Sequence, residues 1–165
     1  MSKLVKSLGI AVMACGCVFS VFGKDNEANL LAKWNLSGNE GGTVIQDDGV
    51  IACVCKNEKD ASGVSQGITL DQKEAKPIEF SAESKAENAS GDLDPNNYAI
   101  YLDIAHPDGT YTYGVKVGFK TGTHDWEKAS LSYTPTKPIK SLSYYLLFRN
   151  KTGKVWFKNA VLIQK

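Results

Sequence analysis

Three pairs of side chains in the second half of the chain have the types and spacing for adhesive chemistry. Tyr101 and Asp103 alternate with Ile100, Leu102 and Ile104, so they share the strand face opposite an apolar stripe. Tyr111 and Tyr113 lie two residues apart, just after a Pro107-Asp108-Gly109 turn. Tyr145 and Arg149 lie four apart and fall on one strand face with Leu147. Together they offer flat aromatic faces, one carboxylate and a rigid fork of donors. That fork suits vicinal hydroxyls or a carboxylate. Each of these residues also suits cross-strand packing, the ordinary unit of sheet stability.

The elements that would position them are short strands cut by turns. Alternating or continuous apolar runs fall at 30–36, 43–45, 50–55, 64–70, 78–86, 98–105, 110–119, 130–133, 139–149 and 154–163. Asp47-Asp48-Gly49 between two runs is a hairpin signal, and Asn150-Lys151-Thr152-Gly153 is a second clear turn. In the strand over 110–119, simple alternation puts Tyr111, Tyr113, Val115, Val117 and Phe119 on one side. No stretch shows helical periodicity, so the expectation is an all-β sandwich or jelly roll of nine or ten strands. Trp126 and Trp156 are expected in its core, since Trp is highly buried on average.

The chain has 165 residues, a formal net charge of +1 and 42% hydrophobic content, which is enough for one domain with a substantial core. The near-neutral balance argues against nucleic acid as a partner. Lys3 and Lys6 precede an apolar run over residues 8–22, too short to span a bilayer, so residues 1–23 read as a signal peptide and 24–165 as the mature domain. The mature chain then carries no transmembrane segment and is secreted or periplasmic. The alternative is a lipid anchor at Cys15, because Val12-Met13-Ala14-Cys15 has the look of a lipobox.

Cys53 and Cys55 remain after cleavage. At positions i and i+2 of a strand their Cα atoms lie about 6.5–7 Å apart, the outer limit for a disulfide, so two small buried hydrophobes are expected. No second Cys or His pair completes a metal site. His106 and His124 sit in turns without companions for a triad, and no phosphate loop is present, so no catalytic residue is assigned and the protein is read as no enzyme.

A series of segments then carries a resemblance. Asn29-Leu30-Leu31 opens it, and Ser65-Gln66-Gly67-Ile68 and the run from Phe80 to Gly91 (FSAESKAENASG) follow. Tyr98 to Asp103, Thr121-Gly122-Thr123-His124-Asp125-Trp126, Lys137-Pro138-Ile139-Lys140-Ser141 and Thr152-Gly153-Lys154-Val155-Trp156-Phe157 complete it. This order resembles carbohydrate-binding modules of the galactose-binding-like jelly-roll type, appended to bacterial xylanases and other polysaccharide-degrading enzymes. The resemblance implies non-catalytic glycan binding outside the cytoplasm; the strand faces and side-chain chemistry then make Tyr101, Asp103, Tyr111, Tyr113, Tyr145 and Arg149 the expected ligand-binding set, in a protein expected to be a monomer. A structural or protein-interaction module of the same fold is the alternative, and a small jelly-roll lyase or hydrolase is a third reading. The resembled modules hold a structural calcium with a Glu and an Asp where this chain has Ser37 and Lys158, so no calcium or other cofactor is expected. Trp34 stands where those modules have Gly, and reads equally as an exposed rim residue or a packed one.

Overall fold

The computed structural model describes residues 28–38 and 42–165. The signal peptide read at 1–23, Cys15 with its lipobox, and Cys17 lie outside the described residues. Ten strands form two five-stranded sheets, and no described residue is helical. The first sheet has the order β1-β4-β9-β6-β7 and the second β2-β3-β10-β5-β8, with every pairing antiparallel. The strands are β1 (Asn35–Gly38), β2 (Gly42–Ile45), β3 (Ile51–Cys55), β4 (Ala61–Thr69), β5 (Ile78–Ala89), β6 (Tyr98–Ala105), β7 (Tyr111–Gly118), β8 (Gly122–Tyr133), β9 (Ser141–Arg149) and β10 (Gly153–Gln164). Only β2–β3 and β6–β7 follow one another within a sheet; every other pair of consecutive strands lies in different sheets. This is the jelly-roll β-sandwich expected from the sequence.

Turn chemistry places the hairpins. Gly49 takes φ +80° and its N–H closes on the Gln46 carbonyl, which lets β2 fold back on β3. At the β6–β7 turn, Gly109 takes φ +81° and the Asp108 carboxylate accepts from the Thr110 N–H and hydroxyl.

The inner faces bury Phe80, Tyr98, Phe119, Tyr144, Phe148 and Phe157 completely or nearly so. Tyr98 sits at the centre, with ring centroids 5.3 Å from Phe119, 5.4 Å from Phe148 and 6.0 Å from Phe157. Each such ring contributes roughly 1.5–3 kcal/mol through burial. Cys53 and Cys55 are free thiols buried in this interior, in keeping with their reading as small hydrophobes.

Several local expectations are corrected. The first strand begins at Asn35 rather than at residue 30, and β8 begins at Gly122, eight residues before the apolar run that marked it. Trp156 is not core. Its neighbours Val155 and Phe157 face the interior, so strict alternation sends Trp156 to the outer face of the second sheet, between Ala52 and Lys85 in the ladder. Lys154 covers its ring at 4.4 Å. The irregularity of β10 lies further on, between Lys158 and Val161, where Asn159 takes φ +50°. Trp126 is only partly buried and lies beneath the Lys158 ammonium at 4.0 Å. Trp34 packs on buried Tyr144 with centroids 5.8 Å apart, which settles it as a packed residue.

Candidate functional site

The register of the first sheet assembles one continuous outer face. β9 sends Leu142, Tyr144, Leu146 and Phe148 inward and leaves Ser141, Ser143, Tyr145, Leu147 and Arg149 on the other side. β6 pairs with it so that Tyr101 lies opposite Tyr145, Asp103 opposite Ser143 and Ala105 opposite Ser141. β4 sets Ser65, Gly67 and Thr69 beside Tyr145, Ser143 and Ser141. Small residues thus floor the middle of the face while larger ones stand around them.

β7 supplies the tyrosine pair through an irregularity. Thr112 pairs with Ile104 and Val115 with Leu102, so three steps on β7 match two on β6. Gly114 absorbs the extra residue at φ +73°, and its N–H donates to Asp103 Oδ1 at 3.3 Å. The bulge reverses the phase of the strand. Tyr111 and Tyr113 stay outside, 59% and 68% exposed, while Val115 and Val117 pack on the core. This corrects the single-faced reading of all five residues from Tyr111 to Phe119. The two tyrosine rings lie parallel, 5.6 Å apart at 7°.

Two adjoining hollows share Asp103 and Tyr145. The larger, about 330 Å³, is bounded by Gly67, Thr69, Ser143, Tyr111 and Tyr113 as well. The smaller, about 210 Å³, adds Ser37, Tyr101, Leu147 and Arg149. All six residues singled out from the sequence therefore meet on one face. Tyr101 and Tyr145 form an edge-to-face pair with centroids 6.1 Å apart. The Tyr101 hydroxyl is pushed above its ordinary range, first by its partial burial and then by the charge and hydrogen bond of Asp103.

The preceding loop anchors two cations beside this pair. Arg149 Nε donates to the Asn96 carbonyl at 3.0 Å, and Lys116 Nζ donates to Asn96 Oδ1. Asn96 is itself held by Asp94, which accepts from its main-chain N–H at 2.9 Å and its side-chain amide at 3.0 Å. These hydrogen bonds keep the Asp94 carboxyl below its usual range. Buried Lys151 ties the start of the loop by donating to the carbonyls of Ser90 at 3.1 Å and Asp92 at 2.8 Å.

Sequence reasoning missed Ser37, Lys116, Asn96, Ser141 and Ser143. The serines were within reach, because Ser141 and Ser143 keep the period-two spacing that leads to Tyr145. Lys116 was hidden by the bulge, since uninterrupted alternation from Val115 gives it no place beside Tyr101. The two histidines lie elsewhere. His106 is buried between the Pro138 carbonyl and the Thr112 hydroxyl, and His124 bonds the carbonyls of Asp125 and Lys120.

Ser37 and Lys158, read as two halves of one altered calcium site, lie on the outer faces of different sheets, and that juxtaposition is corrected. Ser37 borders the smaller hollow, whereas Lys158 sits 3.5 Å from Glu83 and above Trp126. The residues at 158 do not fit a cation, because the Lys158 ammonium already faces the Glu83 carboxylate.

No protein-family model matches the chain. It is 29% identical over 140 residues to the tRNA(Glu)-specific nuclease WapA of Bacillus subtilis subsp. natto and to the tRNA nuclease WapA of Bacillus subtilis. The match covers 79% of this chain and only 6% of each relative's length. These names overturn the expectation that the protein is no enzyme, which had rested on the lack of a recognisable catalytic constellation. Among solved structures, the enzymatically active domain of tailspike protein 4 from bacteriophage CBA120 superposes with a TM-score of 0.62 at 11% identity, over 83% of this chain and 21% of that one. The CBM22-1 xylan-binding domain from Paenibacillus barcinonensis gives 0.54 at 14% identity, over 84% of this chain and 89% of that one. A module described as CBM4 gives 0.53 at 16% identity, over 79% and 78%. At such identities the likeness is one of architecture, and the chain shares a jelly-roll fold with these carbohydrate-binding modules.

Proposed function

We propose that the protein binds a glycan on the outer face of the β1-β4-β9-β6-β7 sheet. The convergence of Tyr101, Asp103, Tyr111, Tyr113, Tyr145 and Arg149 on two adjoining hollows carries this reading. Open tyrosine faces suit the C–H surfaces of pyranose rings, and the carboxylate, serines and guanidinium suit their hydroxyls. Likeness to a xylan-binding domain and to a CBM61 module solved with a galactotriose supports it. The leader read at 1–23 supports action outside the cytoplasm.

The test is a glycan array probed with the protein and with its Tyr113→Ala and Tyr145→Ala variants. Binding to one glycan class is expected, with each substitution weakening it about tenfold, in line with aromatic contacts of roughly 0.5–1.5 kcal/mol beyond burial. A protein that binds no glycan on the array sinks the proposal.

The relatives' names favour a second reading, cleavage of tRNA, for which the chain would supply all or part of the activity. Incubation of the purified protein with total tRNA, resolved on a denaturing gel, tests it. Discrete cleavage products that are absent from a mock preparation would support the reading, and intact tRNA would remove it.

A further inference from the structure

The two hollows differ in charge, and the difference identifies a ligand class. We infer, building on the glycan-binding reading, that the Arg149 end of the face is a subsite for a carboxylated sugar, so that the preferred ligand is a uronate-bearing glycan. Two cations converge at this end. Arg149 and Lys116 are both hydrogen-bonded to Asn96, which Asp94 holds in place. Arg149 uses Nε for that contact, and its terminal nitrogens have no acceptor among the described residues. The end-on pair of donors that remains is the edge a carboxylate engages in bidentate fashion.

Lys116 stands on the other side of Tyr101, directly opposite it in the ladder, with its ammonium 5.8 Å from the ring centroid. Tyr101 and Tyr145 line the same hollow as Arg149 and give a sugar ring its apolar contact. The nearby anions are Asp94 and Asp103. Asp94 is turned onto the Asn96 N–H and the Asn96 and Asn97 amides, and Asp103 accepts from the Gly114 N–H, so both carboxylates are already engaged. With both carboxylates engaged, the Arg149 fork is the charged group in this hollow left open to an anion. The tyrosine pair borders the other hollow, whose lining contains no cation. The face therefore has a direction, with an acidic residue set at Arg149 and neutral residues running toward Tyr111 and Tyr113.

Affinity electrophoresis and calorimetry with polygalacturonate, alginate and glucuronoxylan test this, each polymer paired with its carboxyl-reduced form. At least one uronate polymer is expected to bind about tenfold tighter than its reduced partner, and the preference should shrink as salt rises from 50 to 300 mM. Arg149→Gln should abolish the preference, so that each uronate polymer binds no tighter than its carboxyl-reduced form, whereas Tyr113→Ala, in the other hollow, should weaken both forms and keep the preference. Arg149→Lys, which keeps charge but loses the fork, should recover only part of it, and unchanged melting temperatures certify both folds. Equal binding of both forms by the parent protein, or a preference that survives Arg149→Gln, overturns the acidic subsite and leaves glycan binding standing. Failure to bind any polymer in either form overturns both readings together.

Discussion

The hydroxyl oxygens of Ser84 and Tyr98 lie 2.6 Å apart in the buried interior, joining β5 of one sheet to β6 of the other. Ser84 Oγ also lies 2.8 Å from the Trp156 carbonyl, which can only accept, so the serine proton goes there and Tyr98 donates to Ser84. The pair is asymmetric as a result. Ser84→Ala strands a buried phenol donor and should cost about 1–3 kcal/mol, whereas Tyr98→Phe leaves the serine donating to its carbonyl and should cost about 1 kcal/mol. Urea denaturation of both single variants and the double variant checks the order. Equal costs, or a larger one for Tyr98→Phe, would refute the assigned proton direction.

Lys151 offers a second test. Its ammonium is buried against the Ser90 and Asp92 carbonyls at the head of the loop whose Asn96 anchors Arg149 and Lys116. Lys151→Met keeps the aliphatic stem but leaves those carbonyls without their donor, at a cost of about 1–3 kcal/mol. Faster amide exchange is expected over residues 90–97, with the interior strands unchanged. Exchange that stays as slow as in the parent would mean the loop stands without this tether.

Two glycines separate conformational strain from collision. A methyl on Gly114 meets nothing closer than 3.5 Å, so Gly114→Ala should cost only the roughly 1–2 kcal/mol of a left-handed backbone. A methyl on Gly63 would lie 2.2 Å from the Leu146 carbonyl oxygen, inside the β4–β9 ladder. Gly63→Ala is expected to accumulate poorly as folded protein, and thermal melts of the two variants give the comparison.

The buried thiols predict an alkaline weakness. Burial pushes Cys53 up to about 11, and burial together with the nearby Asp60 pushes Cys55 up to about 12. Unfolded cysteines ionise near 8.5, so above that pH the unfolded state binds fewer protons than the native one. Stability is therefore fully present below about pH 8.5 and falls as pH rises toward the folded values. Denaturant midpoints measured from pH 7 to 10 should decline, and Cys53→Ala should flatten the decline.

Calcium is expected to leave the melting temperature unchanged, because Glu83 already receives the Asn159 amide at 2.9 Å and faces Lys158. A rise of several degrees on adding calcium, reversed by chelation, would overturn this.

Most of the architecture was legible because strand runs and turn residues coincide, as at Asp48-Gly49 and Asp108-Gly109. Tyr101 and Asp103 were legible because outward positions can be counted from a buried stripe, whereas Tyr111 and Tyr113 were marked by residue type alone, since strict alternation groups them with the core valines. What escaped depended on non-local pairing. Nothing in the order of residues says that Gly114 makes three steps match two, or that Asn96 sits between Lys116 and Arg149. Trp156 escaped for a different reason, since average burial was set against a local alternation that was in fact intact.

The bulge at Gly114 has a consequence for how this chain can change. Upstream of it β7 serves the open face with Tyr111 and Tyr113, and downstream it serves the interior with Val115 and Val117. The two halves are geared in opposite senses, so the aromatic platform can be rewritten without touching the valines that seat the strand. The same gearing makes the strand intolerant of a one-residue deletion at that point, which would turn the tyrosines toward the core or the valines toward solvent. The domain thus behaves as a chassis with a replaceable panel, fastened by a single glycine.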